Sequence, residues 1–434
     1  MKCIRCSTDN NLRDRTTNRG RCKNCGHQFA FEPTSMGKIK FTDPFFAKAI
    51  ADISANNTLF FTPQQFLYFL DKRFKRRYFG ARFWCLLAYF VLNGLALNLI
   101  GGNWFLIVAP LLNLTFIVNF FRASNSSNLT YKGRKANAKN LQIIGIIILI
   151  FGNYIGIVVI DSLSISVTSI LLGMLSIYLG TRQLIRQEQI PQSLLITPNQ
   201  IQDWLRRWRQ VNGLQDKILP SPQPQTTPAE ISSEISAYSF DRLVVCDRTA
   251  IAQMLIANNF HFEYNCAVLS INGYPQSIFS TVLEMLRRNP SLKVYALHDA
   301  SPSGVSLVHN LRTSPNWFGD GNISIYDLGL LPRQIFKSPK VFVGESEAMR
   351  KQARQLSSAV RQNLSAKELS WLEAGKFVEL ESFTPQKILQ VLSQGIARTQ
   401  AVNGSADGGD GLVAVDGSDI NGSYIQFYIY DSFG

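Results

Sequence analysis

Charge is scarce in this chain. Only 17% of its 434 residues are Asp, Glu, Lys or Arg, below the roughly 25% of an ordinary soluble domain. Hydrophobic residues supply 46%, yet mean hydropathy is close to zero, so apolar and polar stretches must alternate. That excludes a wholly disordered chain and a uniform globule. Acids are the scarcer sign, 30 against 44 bases for a net charge of +14. Such a balance favours an anionic partner, either nucleic acid or an acidic membrane surface. Two catalytic motifs are missing as well. Without G-x-x-x-x-G-K-[ST], any energy-coupled action needs a second protein. Without a G-x-S-x-G elbow, His298, Asp299, Ser301 and His309 are serine-protease residue types and nothing more. The chain opens on cysteines instead of an apolar run, so no signal peptide is expected there. Its length gives room for two or three domains of about 100 to 200 residues.

What is present begins with cysteine. Of seven cysteines, Cys3, Cys6, Cys22 and Cys25 form two CxxC pairs with fifteen residues between them. This is zinc-ribbon spacing over residues 1–30, in which four thiolates close a tetrahedral Zn2+ shell. A redox CxxC would need a βαβ context that this stretch lacks. His27 would be a fifth candidate for a four-ligand site and reads as a spectator. Arg5, Arg13, Arg15, Arg19, Arg21 and Lys23 make the ribbon basic, which suits a nucleic-acid grip or a protein-docking role equally.

Residues 40–80 show apolar positions at helical intervals, restarted at Thr62-Pro63 as an N-cap and N1 proline, and predict short helices of winged-helix size. Four charge-free runs follow: Phe83 to Ile100, Trp104 to Phe121, Leu141 to Ile160 and Val167 to Leu179. They predict four membrane helices in two hairpins, 83–121 and 141–180. With no ionisable residue inside the spans, their asparagines are expected to pack between helices instead of lining a transport path. Lysines and arginines before, between and after the hairpins place both termini and the soluble domains in the cytoplasm. Residues 197–219 form an amphipathic helix carrying Ile201, Trp204, Leu205 and Trp208 on one face. That face could lie along headgroups or pack on a neighbouring domain. Residues 220–230 read as a Pro-rich linker.

From Asp241 short β-type runs alternate with helices, at Arg242 to Cys246, Ala267 to Ile271, Lys293 to Leu297 and Ile323 to Tyr326. The pattern predicts an α/β domain with a mainly parallel sheet over residues 240–395, its function collected at the carboxyl ends of the strands. Asp247, Gly273 and Asp299 fall at three such ends, and acids there can hold Mg2+. Residues 396–434 form a Gly/Ser/Asp-rich tail closing on a strand.

Three segments in this domain carry a resemblance. Leu269-Ser270-Ile271-Asn272-Gly273-Tyr274-Pro275, His298-Asp299-Ala300-Ser301-Pro302-Ser303-Gly304 and Tyr326-Asp327-Leu328-Gly329-Leu330-Leu331-Pro332 resemble successive signatures of one domain. It is the Toprim domain of the topoisomerase VI A family and its meiotic double-strand-break relatives. Phe377-Val378-Glu379-Leu380-Glu381 is similar to that family's closing acidic stretch. The resemblance implies a dimer that acts on DNA with Mg2+ held by acids, Asp247 standing where the family has glutamate and Asp299 opening its D-x-D. It also implies a nucleophilic tyrosine. Gln64-Gln65-Phe66-Leu67-Tyr68 is similar to that motif without its basic residues, so Tyr68 is either the nucleophile or a packed aromatic. Ser301 replaces the second aspartate of D-x-D, and Asn272 the lysine of G-K-G.

The sequence therefore describes a multidomain protein: a zinc ribbon, a helical segment, a four-helix transmembrane region and an α/β Toprim-like domain. The favoured function is membrane-tethered binding of nucleic acid, DNA in particular, by a homodimer whose Toprim-like domain is degenerate and non-catalytic. One alternative is a Mg2+-dependent DNA-cleaving enzyme using Tyr68, Asp247 and Asp299. Another is a membrane channel or signalling scaffold with regulatory cytosolic domains.

Overall fold

The computed structural model describes residues 1–37, 39–77, 91–92, 94–95, 105–129, 131–159, 161–186, 190–213, 217–222, 240–289, 291–319, 323–337, 341–404 and 425–426. The chain divides into two units, one of Met1–Leu70 with Ile196–Gly434 and the other of Asp71–Leu195.

The first unit opens with two knuckles of the same build. The Cys3 and Cys22 amides donate to the carbonyls of Thr8 and His27 at 3.0 and 2.8 Å. The residue after each second cysteine is left-handed, Ser7 at φ 58° and Gly26 at φ 68°. Between the knuckles runs a short helix, Leu12–Thr17, started by a reciprocal Asn11/Asp14 cap. Arg15 on this helix turns inward to pair with Glu32 at 2.8 Å and donates to the Asn10 carbonyl. It is thereby withdrawn from the basic surface counted from the sequence.

Helices Asp43–Ile53, Pro63–Arg77 and Pro198–Asn212 follow. The Asp43 carboxylate accepts the amides of Ala30 and Phe31 at 2.9 Å each, fastening the first of them to the ribbon. Aromatic side chains fill the space between. The Phe46 ring lies 4.8 Å from Phe31, 5.2 Å from Phe66 and 5.1 Å from Trp208, while Phe41 meets Trp204 at 4.8 Å. Aromatic pairs of this kind contribute about 0.5–1.5 kcal/mol each beyond their buried area. Ile201, Trp204, Leu205 and Trp208 are all buried here, so the apolar face of the helix Pro198–Asn212 is committed to protein and cannot lie on headgroups. Phe61 makes a one-residue β contact with Ile218, and a reciprocal pair between the Phe60 backbone and Asn258 ties the helices to the α/β domain.

In that domain the strands are β1 (Arg242–Cys246), β2 (Cys266–Ser270), β3 (Lys293–Leu297), β4 (Ser324–Asp327), β5 (Gly344–Glu345), β6 (Lys376–Phe377) and β7 (Ile425–Gln426). Five of them form one sheet in the order β2-β1-β3-β4-β7, with every pairing parallel. β5 and β6 form a separate antiparallel pair. Alternate residues of β1 serve opposite faces, Val244 and Cys246 in one apolar cluster and Leu243 and Val245 in another. Cys246 aligns with both Ser270 and Leu297, so Asp247 and His298-Asp299 leave the sheet at the same edge. β4 ends one residue later than the sequence pattern suggests and takes in Asp327.

In the second unit, helices Phe105–Ser124, Tyr131–Ile147 and Leu163–Arg186 pack together, the middle one prolonged by π-helical turns at Ile148–Gly152 and Ile155–Val159. Among the described residues three helices are long and apolar enough to cross a membrane: Ile107–Ser124, Tyr131–Val158 and Leu163–Arg186. The expected span Phe83 to Ile100 lies outside the described residues apart from 91–92 and 94–95. The middle helix begins at Tyr131 and not near Leu141, because Lys132, Arg134, Lys135, Ala136, Ala138 and Lys139 favour helix and no proline interrupts the run, which outweighs Gly133. Small residues let it touch its neighbour. A Cβ on Gly173 would stand 2.9 Å from the Gly145 carbonyl, and one on Gly152 would stand within contact distance of the Ser169 side chain. Close approach at small residues is what holds helices together in lipid. The ends of this unit meet at the Asp71–Lys75 ion pair, 2.6 Å. There Asp71 accepts the Leu195 amide at 2.7 Å and Lys75 donates to the Ser193 carbonyl at 2.6 Å.

Gly173→Leu would drive a side chain into Leu149 and the opposing backbone, and overpacking of this kind costs about 1–3 kcal/mol. Thermal unfolding in detergent should fall accordingly, whereas Leu171→Ala on the exposed face of the same helix should leave it nearly unchanged.

Candidate functional site

Two groups of polar residues stand out. The first is the cysteine cluster, whose four Sγ atoms lie within 4.8 Å of one another. Cys3 and Cys25 are 3.7 Å apart and Cys6 and Cys22 3.6 Å. A tetrahedral zinc with Zn–S bonds of about 2.3 Å requires S–S edges of about 3.8 Å, so the four sulfurs fit the ion. Asn10 donates to the Cys22 sulfur at 3.5 Å, a contact suited to an electron-rich thiolate.

The second group lies at the carboxyl ends of β1 and β3. Asp247 accepts the Asp299 amide through Oδ2 at 2.8 Å, while its Oδ1 is buried without a hydrogen-bond partner. Asp299 is 1% exposed. Its Oδ1 accepts the Leu380 amide at 2.6 Å and its Oδ2 accepts Arg248 Nε at 2.8 Å. Arg248, at the cap of the helix Thr249–Ala257, reaches back over the strand ends and donates Nη2 to Glu379 Oε1 at 2.8 Å. Glu379 is brought there by a β contact between Ala300 and Val378, closed by two amide–carbonyl bonds of 3.0 and 3.1 Å. Its other oxygen accepts the Tyr68 hydroxyl at 2.8 Å. Glu381 accepts the Thr62 hydroxyl at 2.8 Å. Tyr68, Asp247 and Asp299, singled out from the sequence, are thus joined by one continuous run of hydrogen bonds through Arg248 and Glu379.

Electrostatics follow from crowding acids out of water. Burial pushes the Asp247 and Asp299 carboxyls above their usual range, and for Asp299 the neighbouring Asp247 charge adds to it. Burial works against the Arg248 guanidinium, but Asp299, Glu379 and Asp247 outweigh it and hold the charge firmly in place. Burial, then the Glu379 charge, makes Tyr68 a much weaker acid than free tyrosine. Glu381 is raised from 4.5 to about 6, first by burial. Beside the cluster, His298 bridges the Asp299 carbonyl and Asp327 at 2.8 and 2.9 Å. Burial opposes its charge, but Asp327 more than offsets this and lifts the imidazole to about 9.

Two motif glycines have a steric reason. A Cβ on Gly304 would run into the Asp299 carbonyl oxygen, and one on Gly329 would run into the His298 ring. Ser301 takes a structural part, accepting the Gly304 amide at 3.1 Å as the cap of the short helix Pro302–Val305. Sequence reasoning placed neither Arg248, Glu379 nor Glu381 in the site. Arg248 directly follows an acid singled out as a ligand, and the two glutamates sit in a stretch recognised only as acidic.

A parallel sheet with acids at adjacent strand ends is the arrangement in which open α/β folds place their functional groups. Residues 243–392, about a third of the chain, match the Toprim-domain family of topoisomerase 6 (A subunit) and Spo11. Residues 1–242 lie outside the match. No curated protein and no solved structure matches the chain. The family uses Mg2+, an ion that demands near-octahedral oxygen ligands. The residues here do not fit it. Both Asp299 oxygens and one of Asp247 are engaged within the chain, Ser301 is turned to its cap, and a guanidinium already stands against Asp299 and Glu379.

Glu381 yields a pH prediction. In the fold it keeps its proton up to about 6, whereas the unfolded chain loses it near 4.5. The resulting stabilisation, on the order of 2 kcal/mol, is present below the lower value and lost as pH rises through the upper one. Glu379, Arg248, Asp247 and Thr62 are the groups that face it. Protection factors at β3, which remove the intrinsic base-catalysed rise of exchange with pH, should fall over that interval in the native protein, and Glu381→Gln should flatten their dependence on pH.

Proposed function

We propose that the protein is a membrane-anchored DNA-binding protein in which the Toprim domain is a non-catalytic scaffold. The observation that carries this reading is the state of Tyr68. A nucleophilic tyrosine needs an approachable, readily deprotonated hydroxyl; this one is buried, donates to Glu379 and is made a weaker acid by that surrounding. Retaining a fold without its chemistry is a common outcome, since function belongs to sites and not to folds.

Binding is supported by the distribution of charge. On the helix Pro198–Asn212, Arg207 and Arg206, the latter paired with Asp203, are exposed opposite the buried tryptophans. On the ribbon, Arg5, Arg13, Arg19 and Arg21 are exposed around the cysteine cluster. A helix with one face anchored and a basic outer face suits a phosphate backbone. Zinc would hold the ribbon in shape, and the apolar helices would carry the anchor, with both termini and the soluble domains on the cytoplasmic side. Homodimers are the assembly implied by the Toprim family.

A second reading, a Mg2+-dependent cleaving enzyme, draws on the gathering of Tyr68, Asp247 and Asp299 in one place. The two are separated by incubating detergent-purified protein with supercoiled plasmid and Mg2+ or Mn2+, with gel-shift binding read alongside. Binding without nicking is expected; protein-linked ends lost in Tyr68→Phe would establish the enzyme instead. Joint substitution Arg206→Ala and Arg207→Ala should weaken binding and lower its salt slope by about 2, roughly one unit for each phosphate no longer neutralised. Metal analysis should return zinc in the native protein and little in Cys22→Ser, with ribbon amides losing exchange protection.

A further inference from the structure

The misfit with Mg2+ has a specific cause. Where a Toprim centre is expected to hold a divalent cation among strand-end acids, this chain holds a guanidinium. Arg248 lies 2.8 Å from both Asp299 and Glu379. It is delivered by the backbone immediately after Asp247, from the cap of the helix Thr249–Ala257, so its reach over the strand ends is set by the same turn that presents the acid. Four carboxylates meet there, those of Asp247, Asp299, Glu379 and Glu381, and Asp299 and Glu381 are almost wholly buried. Among the described residues Arg248 is the only cation with a salt bridge to any of the four. One carboxylate oxygen, Asp247 Oδ1, is buried with no hydrogen-bond partner. An orphaned anionic oxygen costs free energy in an apolar surrounding, and it marks where an acid cage has more acceptor capacity than one planar guanidinium can use.

We propose that Arg248 is the resident cation of this Toprim site: it neutralises the acid cluster in place of a divalent metal and shuts metal out, and its removal uncovers a latent Mg2+/Mn2+ site built on Asp247, Asp299 and Glu379. Charge replaces charge. A guanidinium supplies one positive charge and directed donors, enough to hold Asp299 and Glu379 together. A divalent ion in its absence would supply two charges and accept the oxygens that Arg248 releases, as well as Asp247 Oδ1. Through Glu379 the same arginine also fixes the acceptor of the Tyr68 hydroxyl. Docking of the helix Pro63–Arg77 on the Toprim domain is thereby metal-independent. This inference goes beyond the DNA-binding reading and does not depend on it, because its readouts involve no nucleic acid.

The test uses the full chain in a non-ionic detergent, with Mn2+ binding followed by electron paramagnetic resonance and thermal unfolding followed with and without Mg2+. Native protein should bind no Mn2+ above background and show no Mg2+-dependent shift in Tm. Arg248→Gln should unfold at lower temperature, bind one Mn2+ per chain, and recover stability as Mg2+ is added. Adding Asp299→Asn to that variant should abolish both binding and recovery. Arg248→Lys, which keeps the charge, should remain metal-blind and close to native in Tm. Saturable Mn2+ binding to the native protein that needs Asp299 would overturn the proposal. So would an Arg248→Gln protein that is folded yet metal-blind. Should Arg248→Gln not fold in the absence of metal, refolding in Mg2+ decides the matter: recovery supports the proposal and failure refutes it.

Discussion

One arginine stands among four carboxylates, and the α/β domain is arranged around that imbalance. Asp247 and Asp299 emerge together because β1 and β3 are aligned to the residue. Glu379 and Glu381 join them because residues 376–381 fold back onto Ala300. Gathering acids out of water is costly unless each finds donors. The structure supplies these from the backbone at Leu380 and Asp299, from hydroxyls at Thr62 and Tyr68, and from Arg248. Two of those donors lie on or at the cap of the helix Pro63–Arg77. Satisfying the Toprim acids is therefore also what docks the helical segment, and one set of hydrogen bonds serves both charge compensation and domain assembly.

The second architectural feature is the route of the chain. Helices Asp43–Ile53 and Pro63–Arg77 share an aromatic core with a helix that arrives only at Pro198. Everything from Asp71 to Leu195 is a separate unit placed between them in sequence. Such an insertion is tolerated when its ends are close together, and here Asp71 holds the Leu195 amide directly. Within that unit the helices meet along glycines and serines while isoleucines, leucines and a methionine face outward, the pattern of helices whose surroundings are as apolar as their cores.

Much of this was legible in order along the chain. Cysteine spacing pointed to the cluster because knuckles are local, each closed by bonds within six residues. Strand positions in the α/β domain were readable because parallel strands buried on both faces are apolar runs, and the glycine motifs that carried the family resemblance reflect close contacts with Asp299 and His298. The tryptophan face of the helix Pro198–Asn212 was visible as amphipathic. Its burial against Phe31, Phe41 and Phe46 was not, since the tryptophans and these partners lie more than 160 residues apart in sequence and periodicity reports a face without naming what covers it.

The sequence by itself determined the local chemistry: four thiols at zinc spacing, apolar runs of membrane length, and acids at the ends of particular strands. These are properties of neighbouring residues, and period, spacing and composition encode them directly. Only the tertiary structure decided what those groups do together. It turned Ser301 to a helix cap, drew Glu379 and Tyr68 to the strand ends, and set Arg248 between Asp299 and Glu379. The physical reason is that a carboxylate's role depends on its partners and its access to water, and both are fixed by contacts between residues far apart in the chain.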